Sequence, residues 1–349
     1  MGLPTSAYAA HSATTPLEAW AFDRRELAGS DVLIEILYCG VCHSDLHQAR
    51  NEWGNAVYPM VPGHEIVGKV TQVGSGVSIW KVGDTVGVGV FVDSCRTCEQ
   101  CLAGEEQYCD NGMTATYNSM SRDGKELNHG GYSTHIVVDE KYVVRVPEGM
   151  DLSATAPLLC AGITTYSPLR YFGVKPGDSV AIVGLGGLGH MGMKFAKAMG
   201  ARVTVLSHSE SKRDAALALG ADEFVVLSSP EDFGAHGSKF NLILDTVSAE
   251  HSYDAYLSLL KLNGTMVLVG LPNPASISAF SLVGRRRSLA GSMIGGIRET
   301  QEMLDFCAEK GIVAEVEVIS MDYINEAYER MLKSDVRYRF VIDLASIKR

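Results

Sequence analysis

Ser179-Val-Ala-Ile-Val183 running directly into Gly184-Leu185-Gly186-Gly187-Leu188-Gly189 and His190 is the stretch on which the fold turns. Four apolar residues in a row, two of them β-branched valines, read as a buried strand. A Gly-x-Gly-x-x-Gly turn that leaves such a strand and opens a helix, here His190 to Met199, is the context in which the motif means dinucleotide binding. Its glycines allow a tight turn, let a pyrophosphate approach the backbone and pack the helix on the strand, while the helix N-terminus faces negative charge. Outward from there, Arg202-Val-Thr-Val-Leu206 leads into a helical Lys212 to Leu219, and Phe224-Val-Val-Leu227, Leu242-Ile-Leu244 and Thr265-Met-Val-Leu-Val269 supply further buried strands. Strand, turn and helix in alternation predict a parallel, doubly wound α/β sheet of the Rossmann kind over residues 157–297.

Upstream the texture differs. Val32-Leu-Ile-Glu-Ile-Leu37 and Ile66-Val-Gly-Lys-Val-Thr-Gln-Val73 are strands punctuated by Gly74-Ser-Gly76 and Val82-Gly-Asp84, and Gly131-Tyr through Val144 adds more. Residues 1–156 therefore read as a β-rich, barrel-like domain. Beyond 298 an amphipathic helix, Glu299 to Glu309, and a closing strand, Phe340-Val-Ile-Asp343, follow without a new glycine turn, so the 298–349 tail is expected to rejoin the first domain. A chain of 349 residues has room for two cores, and 46% apolar with 20% charged residues is ordinary globular composition.

The formal charge of −11 opposes attraction to phosphate backbones, so nucleic acid is not an expected partner. The one basic run, Arg285-Arg-Arg287, reads as a helix end or subunit surface. No 18-residue apolar run suggests a membrane span. The first twenty residues lack a basic start followed by an apolar core. Eight cysteines without a secretory signal point to reduced thiols used as metal ligands in a cytoplasmic protein.

Six of those thiols fall into two sets. Cys95, Cys98, Cys101 and Cys109 lie within fifteen residues, in a polar lobe spanning 93–112, and can wrap one metal with four sulfurs. Four thiolates also hold iron–sulfur clusters, so the spacing alone leaves both open. The other set is Cys42, His64, Glu65 and Cys160. Two thiols and an imidazole leave a zinc ion one coordination position for water or substrate. Gly40-Val-Cys-His-Ser-Asp-Leu-His47 adds a hydroxyl, a carboxylate and further imidazoles beside the first of these ligands.

Cofactor choice is written at the end of the strand after the glycine turn, where an acidic residue would accept from the ribose hydroxyls of NAD. This chain places Ser207 there, followed by His208 and Ser209. With the carboxylate gone, a 2′-phosphate meets no repulsion, and Ser209, Lys212 and Arg213 offer donors and positive charge. NADP(H) is favoured, although Lys212 and Arg213 also suit the solvated first turn of a helix.

Taken together, Gly40 to His47, Pro62-Gly-His-Glu-Ile-Val-Gly68, the four-cysteine lobe, Leu159-Cys-Ala-Gly-Ile-Thr-Thr-Tyr166 and Gly184 to His190 resemble the zinc-dependent medium-chain alcohol dehydrogenases end to end. The likeness is strongest to the cinnamyl alcohol dehydrogenase branch and its bacterial broad-range NADPH aldehyde reductases. It implies a GroES-like catalytic domain joined to the Rossmann domain, and two Zn²⁺ per chain, one catalytic and one structural. By the same resemblance Cys42, His64 and Cys160 hold the catalytic zinc, with Glu65 as a ligand that can exchange with water or substrate. Asp45 would orient His64. Ser44 would hydrogen-bond the substrate oxygen and pass a proton through the cofactor ribose towards His47. Thr164, Thr246, Gly270 and Ser292-Met293-Ile294 would line the cofactor, and Ser288 to Ile294 would pair two chains as a homodimer.

The resemblance implies reduction of medium-sized aliphatic or aromatic aldehydes to primary alcohols. One departure concerns the substrate: plant cinnamyl enzymes carry a tryptophan five residues beyond the fourth lobe cysteine, where this chain has Thr114. Trp53 and Tyr58 remain as pocket candidates. Two other readings stand beside this one, an NAD-linked polyol dehydrogenase, disfavoured by Ser207, and a non-catalytic dinucleotide-binding protein, disfavoured by the intact Cys42, Ser44, His47, His64 and Cys160.

Overall fold

The computed structural model describes residues 2–272 and 276–347. The chain divides into two compact units, Met1–Cys160 with Gly295–Arg349, and Ala161–Ile294. The return of the tail to the first unit is built into a sheet whose strand order is Val316–Ser320, Arg339–Asp343, Asp31–Val41, Ile66–Val73, Thr85–Val88 and Val144–Arg145. Asp31–Val41 is its spine: this run pairs antiparallel with Ile66–Val73, with His135–Asp139 and with Arg339–Asp343. Val32, Ile34 and Ile36, alternate residues that share one face of it, are buried in the core. Val316–Ser320 and Arg339–Asp343 run parallel, so they need a crossover, and the helix Ile324–Leu332 supplies it with Ile324, Ala327, Tyr328 and Met331 on its buried face.

The strand expected through Gly131–Val144 is broken into His135–Asp139 and Val144–Arg145. The cause is local: the Asp139 carboxylate accepts from Lys141 N and caps a short helical turn, Glu140–Tyr142.

Arg24 is a buried cation that, among the described residues, has no carboxylate as a hydrogen-bond partner. Its guanidinium donates to the carbonyls of His135 (2.9 Å), His129 (2.6 Å) and Gly130 (2.9 Å) and to the Ser133 hydroxyl (2.9 Å), and it lies over the Phe22 ring. Burial, aided by Arg25, pulls its pKa down to about 9. The carbonyl cage thereby fixes the path of residues 129–135.

In the second unit six parallel strands run in the order Glu223–Val226, Arg202–Ser207, Ser179–Val183, Phe240–Asp245, Leu260–Leu268, Ser288–Gly291. Chain order reverses between Ser179–Val183 and Phe240–Asp245, and ligands of doubly wound sheets bind at that point, outside the carboxyl ends of the strands. The glycine turn leaves Val183 there. Val183, Leu206, Phe240, Ile243, Leu257 and Met266 form part of the core beneath it. Element ends differ slightly from those read in the sequence: the helix after the glycine turn is Gly189–Ala198, and the expected Lys212–Leu219 helix is a 3-10 turn, Glu210–Lys212, continued as Arg213–Ala218. In the basic run Arg287 donates to the carbonyls of Ser258, Leu260 and Ser281, tying one helix end to its neighbour, while Arg285 and Arg286 are exposed. Among the described residues no helix is long and apolar enough to cross a membrane.

Arg24→Met keeps most of the apolar stem but strands buried carbonyls and a hydroxyl. It is expected to cost about 3 kcal/mol and to lower the thermal midpoint of the purified protein by on the order of 10 °C. An unchanged midpoint would mean that water replaces the guanidinium without cost.

Candidate active site

Cys42 directly follows the spine strand and caps the helix His43–Ala49. His64 and Glu65 sit in the turn that enters Ile66–Val73, and Cys160 follows the short helical turn Ala156–Leu159. Two glycines make this convergence possible. Gly63 has φ +104°, and a Cβ there would meet the Tyr132 ring at 2.7 Å; a Cβ on Gly40 would lie 1.9 Å from Glu65 Oε2. Cys42 Sγ and Cys160 Sγ are 4.0 Å apart, His64 Nε2 is 3.3 Å from Cys160 Sγ, and the donor atoms of Cys42, His64, Glu65 and Cys160 all lie within 4.8 Å of one another. Tetrahedral zinc with Zn–S bonds of about 2.3 Å sets its sulfurs roughly 3.8 Å apart. The donor set therefore fits that ion in both chemistry and spacing.

Asp45, fully buried, organises the cluster. Its Oδ1 accepts from Gly63 N and lies 3.0 Å from His64 Nδ1; its Oδ2 accepts from Cys42 N (2.9 Å) and the Tyr132 hydroxyl (3.2 Å). A carboxylate on Nδ1 fixes the tautomer that leaves the Nε2 lone pair for a metal. Cys42 and Cys160 titrate apart: the hydrogen bond from Cys160 drives the Cys42 thiol well below its ordinary value and holds Cys160 well above. A cation bound between the two sulfurs would favour the thiolate form of both. Burial pushes the Glu65 carboxyl up to about 7 against the pull of Arg339. Its Oε1 is bound by the Arg339 guanidinium, and its buried Oε2 has no hydrogen-bond partner among the described residues. A free carboxylate oxygen beside three soft donors is what an exchangeable ligand needs.

Ser44 and His47, three residues apart on the helix, share a face. Tyr117 stacks on the His64 ring and donates to the Ser44 carbonyl (3.3 Å). His47 Nδ1 is 2.5 Å from Glu52 Oε2, with the Trp53 ring 5.8 Å from the imidazole. Tyr58 is spent on the Ala49 carbonyl, and Thr114 is buried.

In the lobe, Cys98 caps and Cys101 lies within the helix Glu99–Ala103, and Cys109 ends the turn Glu106–Tyr108. Cys95 Sγ to Cys101 Sγ is 3.9 Å and Cys98 Sγ to Cys109 Sγ 4.0 Å, again the spacing of a zinc tetrahedron, and here all positions are filled by sulfur. Cys98 N and Cys95 N donate to the sulfurs of Cys95 and Cys109.

The second unit holds the glycine turn. Gly184 takes φ +84°, and a Cβ on Gly189 would strike Gly184 O at 2.1 Å, so both are needed for the turn itself. Gly186 differs: a Cβ there meets nothing within 4 Å, so its hydrogen faces open space that a pyrophosphate fits. Among the described residues no side chain caps the helix Gly189–Ala198. Lys212 Nζ donates to Leu185 O (3.0 Å), which sets an ammonium over the turn. Ser207 ends its strand with its Oγ accepting from Ser209 N, and Ser209 Oγ lies 2.9 Å from Ser211 Oγ; His208 is exposed. Arg213 is engaged elsewhere, by both Glu210 oxygens and the Phe224 carbonyl. Thr246 Oγ1 donates to Val183 O, Gly270 abuts Val247, and Ser292 N donates to Leu268 O. Thr164 and Ile294 are buried and Met293 is exposed.

Glu52, Arg339, Tyr117 and Tyr132 were not singled out from sequence. Arg339 left a signal, a cation directly before the apolar run Phe340-Val-Ile342. Glu52 lies past the end of its helix, where periodicity says nothing about what a side chain meets.

Residues 28–148 match the family model described as alcohol dehydrogenase GroES-like domain, and residues 187–309 that of zinc-binding dehydrogenase. The chain is 59% identical over 345 residues to NADP-dependent alcohol dehydrogenase C 1 of Mycolicibacterium smegmatis, covering 98% of this chain and 99% of the relative. It is 58% identical to aldehyde reductase YahK of Escherichia coli, covering 97% of each. The crystal structure of a cinnamyl alcohol dehydrogenase from Helicobacter pylori complexed with NADP(H) superposes with a TM-score of 0.93 over the full length of both chains at 41% identity.

Metal analysis of the purified chain is expected to give about two zinc ions, falling to about one in either Cys98→Ser or Cys42→Ser. Asp45→Asn, which keeps shape but removes the charge behind His64, should weaken zinc at the open site by about 10–100-fold in a chelator competition. Full retention there would show that Asp45 serves only the backbone.

Proposed function

The chain belongs to the zinc-dependent alcohol dehydrogenases, and from that premise we propose that it is an NADPH-linked reductase of medium-sized aliphatic or aromatic aldehydes. The zinc and NADP(H) dependence and the alcohol dehydrogenase or aldehyde reductase activity are those of its family. The observation that carries the reading is the buried convergence of Cys42, His64, Glu65 and Cys160, three soft donors and one carboxylate oxygen with no other partner among the described residues.

Cys42, His64 and Cys160 would hold the zinc, which when bound would supply Lewis-acid polarisation of the aldehyde carbonyl, and NADPH would supply the hydride. The chain's own residues do the rest. Ser44 offers the substrate oxygen a hydrogen bond from the same helix face that carries His47. Glu52, on His47 Nδ1, holds the imidazole so that Nε2 exchanges the proton the product alcohol requires, and both groups are exposed enough to trade it with solvent. Asp45 keeps His64 oriented, and Arg339 holds Glu65 by one oxygen. Lys212, Ser207 and Ser209 suit a 2′-phosphate, and the absence of an acid at Ser207 disfavours the NAD-linked polyol alternative.

Two further readings have support. The strand Ser288–Gly291 is an edge with no partner on one side among the described residues, and Leu271, Phe280 and Val283 are exposed by 78%, 78% and 73%, which suits pairing of two such edges in a homodimer. All eight cysteines are free of disulfides, which suits the reducing cytoplasm.

Initial rates with benzaldehyde, cinnamaldehyde and butanal should show fast oxidation of NADPH, slow oxidation of NADH, and no turnover in Cys42→Ser. Ser207→Asp should lower kcat/KM for NADPH by on the order of 100-fold through repulsion of the 2′-phosphate. Glu52→Gln should lower kcat about tenfold with KM little changed. A wild-type preference for NADH with polyols would sink the assignment.

A further inference from the structure

The strand Phe240–Asp245 runs into a loop, Thr246 to Ser252, that precedes the helix Tyr253–Ser258. This loop presses on the glycine turn. Thr246 Oγ1 donates to Val183 O at 2.7 Å, a Cβ on Gly184 would meet Val247 Cγ2 at 2.9 Å, and a Cβ on Gly270 would meet Val247 O at 2.4 Å. The shape of the turn therefore depends on where the loop is held.

Asp245 and His251 hold it. The Asp245 carboxylate, 1% exposed, accepts from Val247 N through Oδ1 and lies 2.7 Å from His251 Nε2 through Oδ2. The other ring nitrogen, Nδ1, is 2.8 Å from the Ala249 carbonyl. A carboxylate and a carbonyl only accept, whereas a neutral imidazole has one N–H to give. Both bonds form together only when the ring is an imidazolium. The Tyr253 and Tyr256 rings meet the imidazole edge-on at 5.2 and 5.4 Å, and with Asp245 they are the titratable groups facing it; Glu250 is exposed and the Asp254 carboxylate is turned to Ser278 N.

We propose that His251 is a positioning residue for the NADP(H) site, an imidazolium that bridges Asp245 and the Ala249 carbonyl and holds the Thr246–Glu250 loop against the glycine turn. This rests on the glycine turn being the cofactor site. The hydrogen bond to Asp245 raises the His251 pKa, with burial opposing it. A histidine raised in this way is fully charged below its ordinary value of about 6.5, and the bridge is lost as pH rises through the raised one. Cofactor binding should therefore weaken on the alkaline side.

The test is a fluorescence titration of NADPH into the zinc-loaded wild type, His251→Gln and Asp245→Asn between neutral pH and about pH 9.5. Wild type should bind about tenfold more weakly at the alkaline end, the loss expected of one charge-assisted hydrogen bond. His251→Gln should be about tenfold weaker already at neutral pH and lack that alkaline loss, and Asp245→Asn should behave likewise should the first variant not fold. Binding by either folded variant equal to wild type at neutral pH would overturn the proposal. Imidazole ¹⁵N spectra give a readout independent of affinity: a wild-type signal with both ring nitrogens protonated at pH 7, absent from His251→Gln, is expected, and a neutral His251 would overturn it. Gly186→Asp separates the two layers of the argument. Loss of NADPH binding there with His251→Gln unaffected defeats the bridge alone, whereas normal binding in Gly186→Asp defeats the assignment of the turn and the proposal with it.

Discussion

The buried Asp45 carboxylate is the constraint around which the first unit is arranged. A carboxylate with no exposure to water survives only if its lone pairs are met by donors. Here the donors come from separate parts of the chain: Cys42 N directly after the spine strand, Gly63 N and His64 in a turn, and the Tyr132 hydroxyl from the segment that Arg24 fixes. Satisfying one carboxylate therefore brings Cys42 and His64, two members of the donor cluster, to one place. The neighbouring glycines follow from the same crowding, since any side chain on Gly40 would displace Glu65 and any on Gly63 would displace Tyr132.

The second unit solves a different problem. A phosphate-bearing ligand needs backbone amides and room, and room is supplied unequally by the three glycines of the turn. Gly184 and Gly189 are glycine because the chain leaves no space, whereas a side chain at Gly186 would meet only open space. Lys212 reaches the turn through the Leu185 carbonyl, but Arg213, its neighbour in sequence, is neutralised by Glu210 and laid over Phe224. Adjacent cations thus have unrelated roles, one available to a ligand and one consumed by the fold.

That contrast shows what could be read from residues alone. The doubly wound sheet was legible because apolar strands and glycine turns are local patterns, and the four-cysteine lobe because its ligands are close in sequence. The open site was legible chiefly through its resemblance, its ligands being spread from Cys42 to Cys160. What stayed hidden were pairings set by tertiary contact: Arg339 with Glu65 from opposite ends of the chain, Tyr132 with Asp45, and Glu52 folding back on His47. Periodicity reports which face a side chain occupies, not what arrives opposite it.

Arg339 also bears on how the open cluster would keep Glu65 as a fourth, carboxylate ligand without losing electrophilicity. Two thiolates already match the charge of a divalent zinc, so a third anion bound permanently would leave the site negative and oppose the build-up of charge on a substrate oxygen. Arg339 holds Glu65 through Oε1 and supplies the compensating charge in a fully buried pair, while Oε2 stays uncommitted. Removing either partner would bury the other's charge alone, which is far costlier than the pair. The pair therefore lets the carboxylate stand within reach of the ligand cluster while its charge is balanced from the far side, and the lobe, whose four positions are all sulfur, has no counterpart to it.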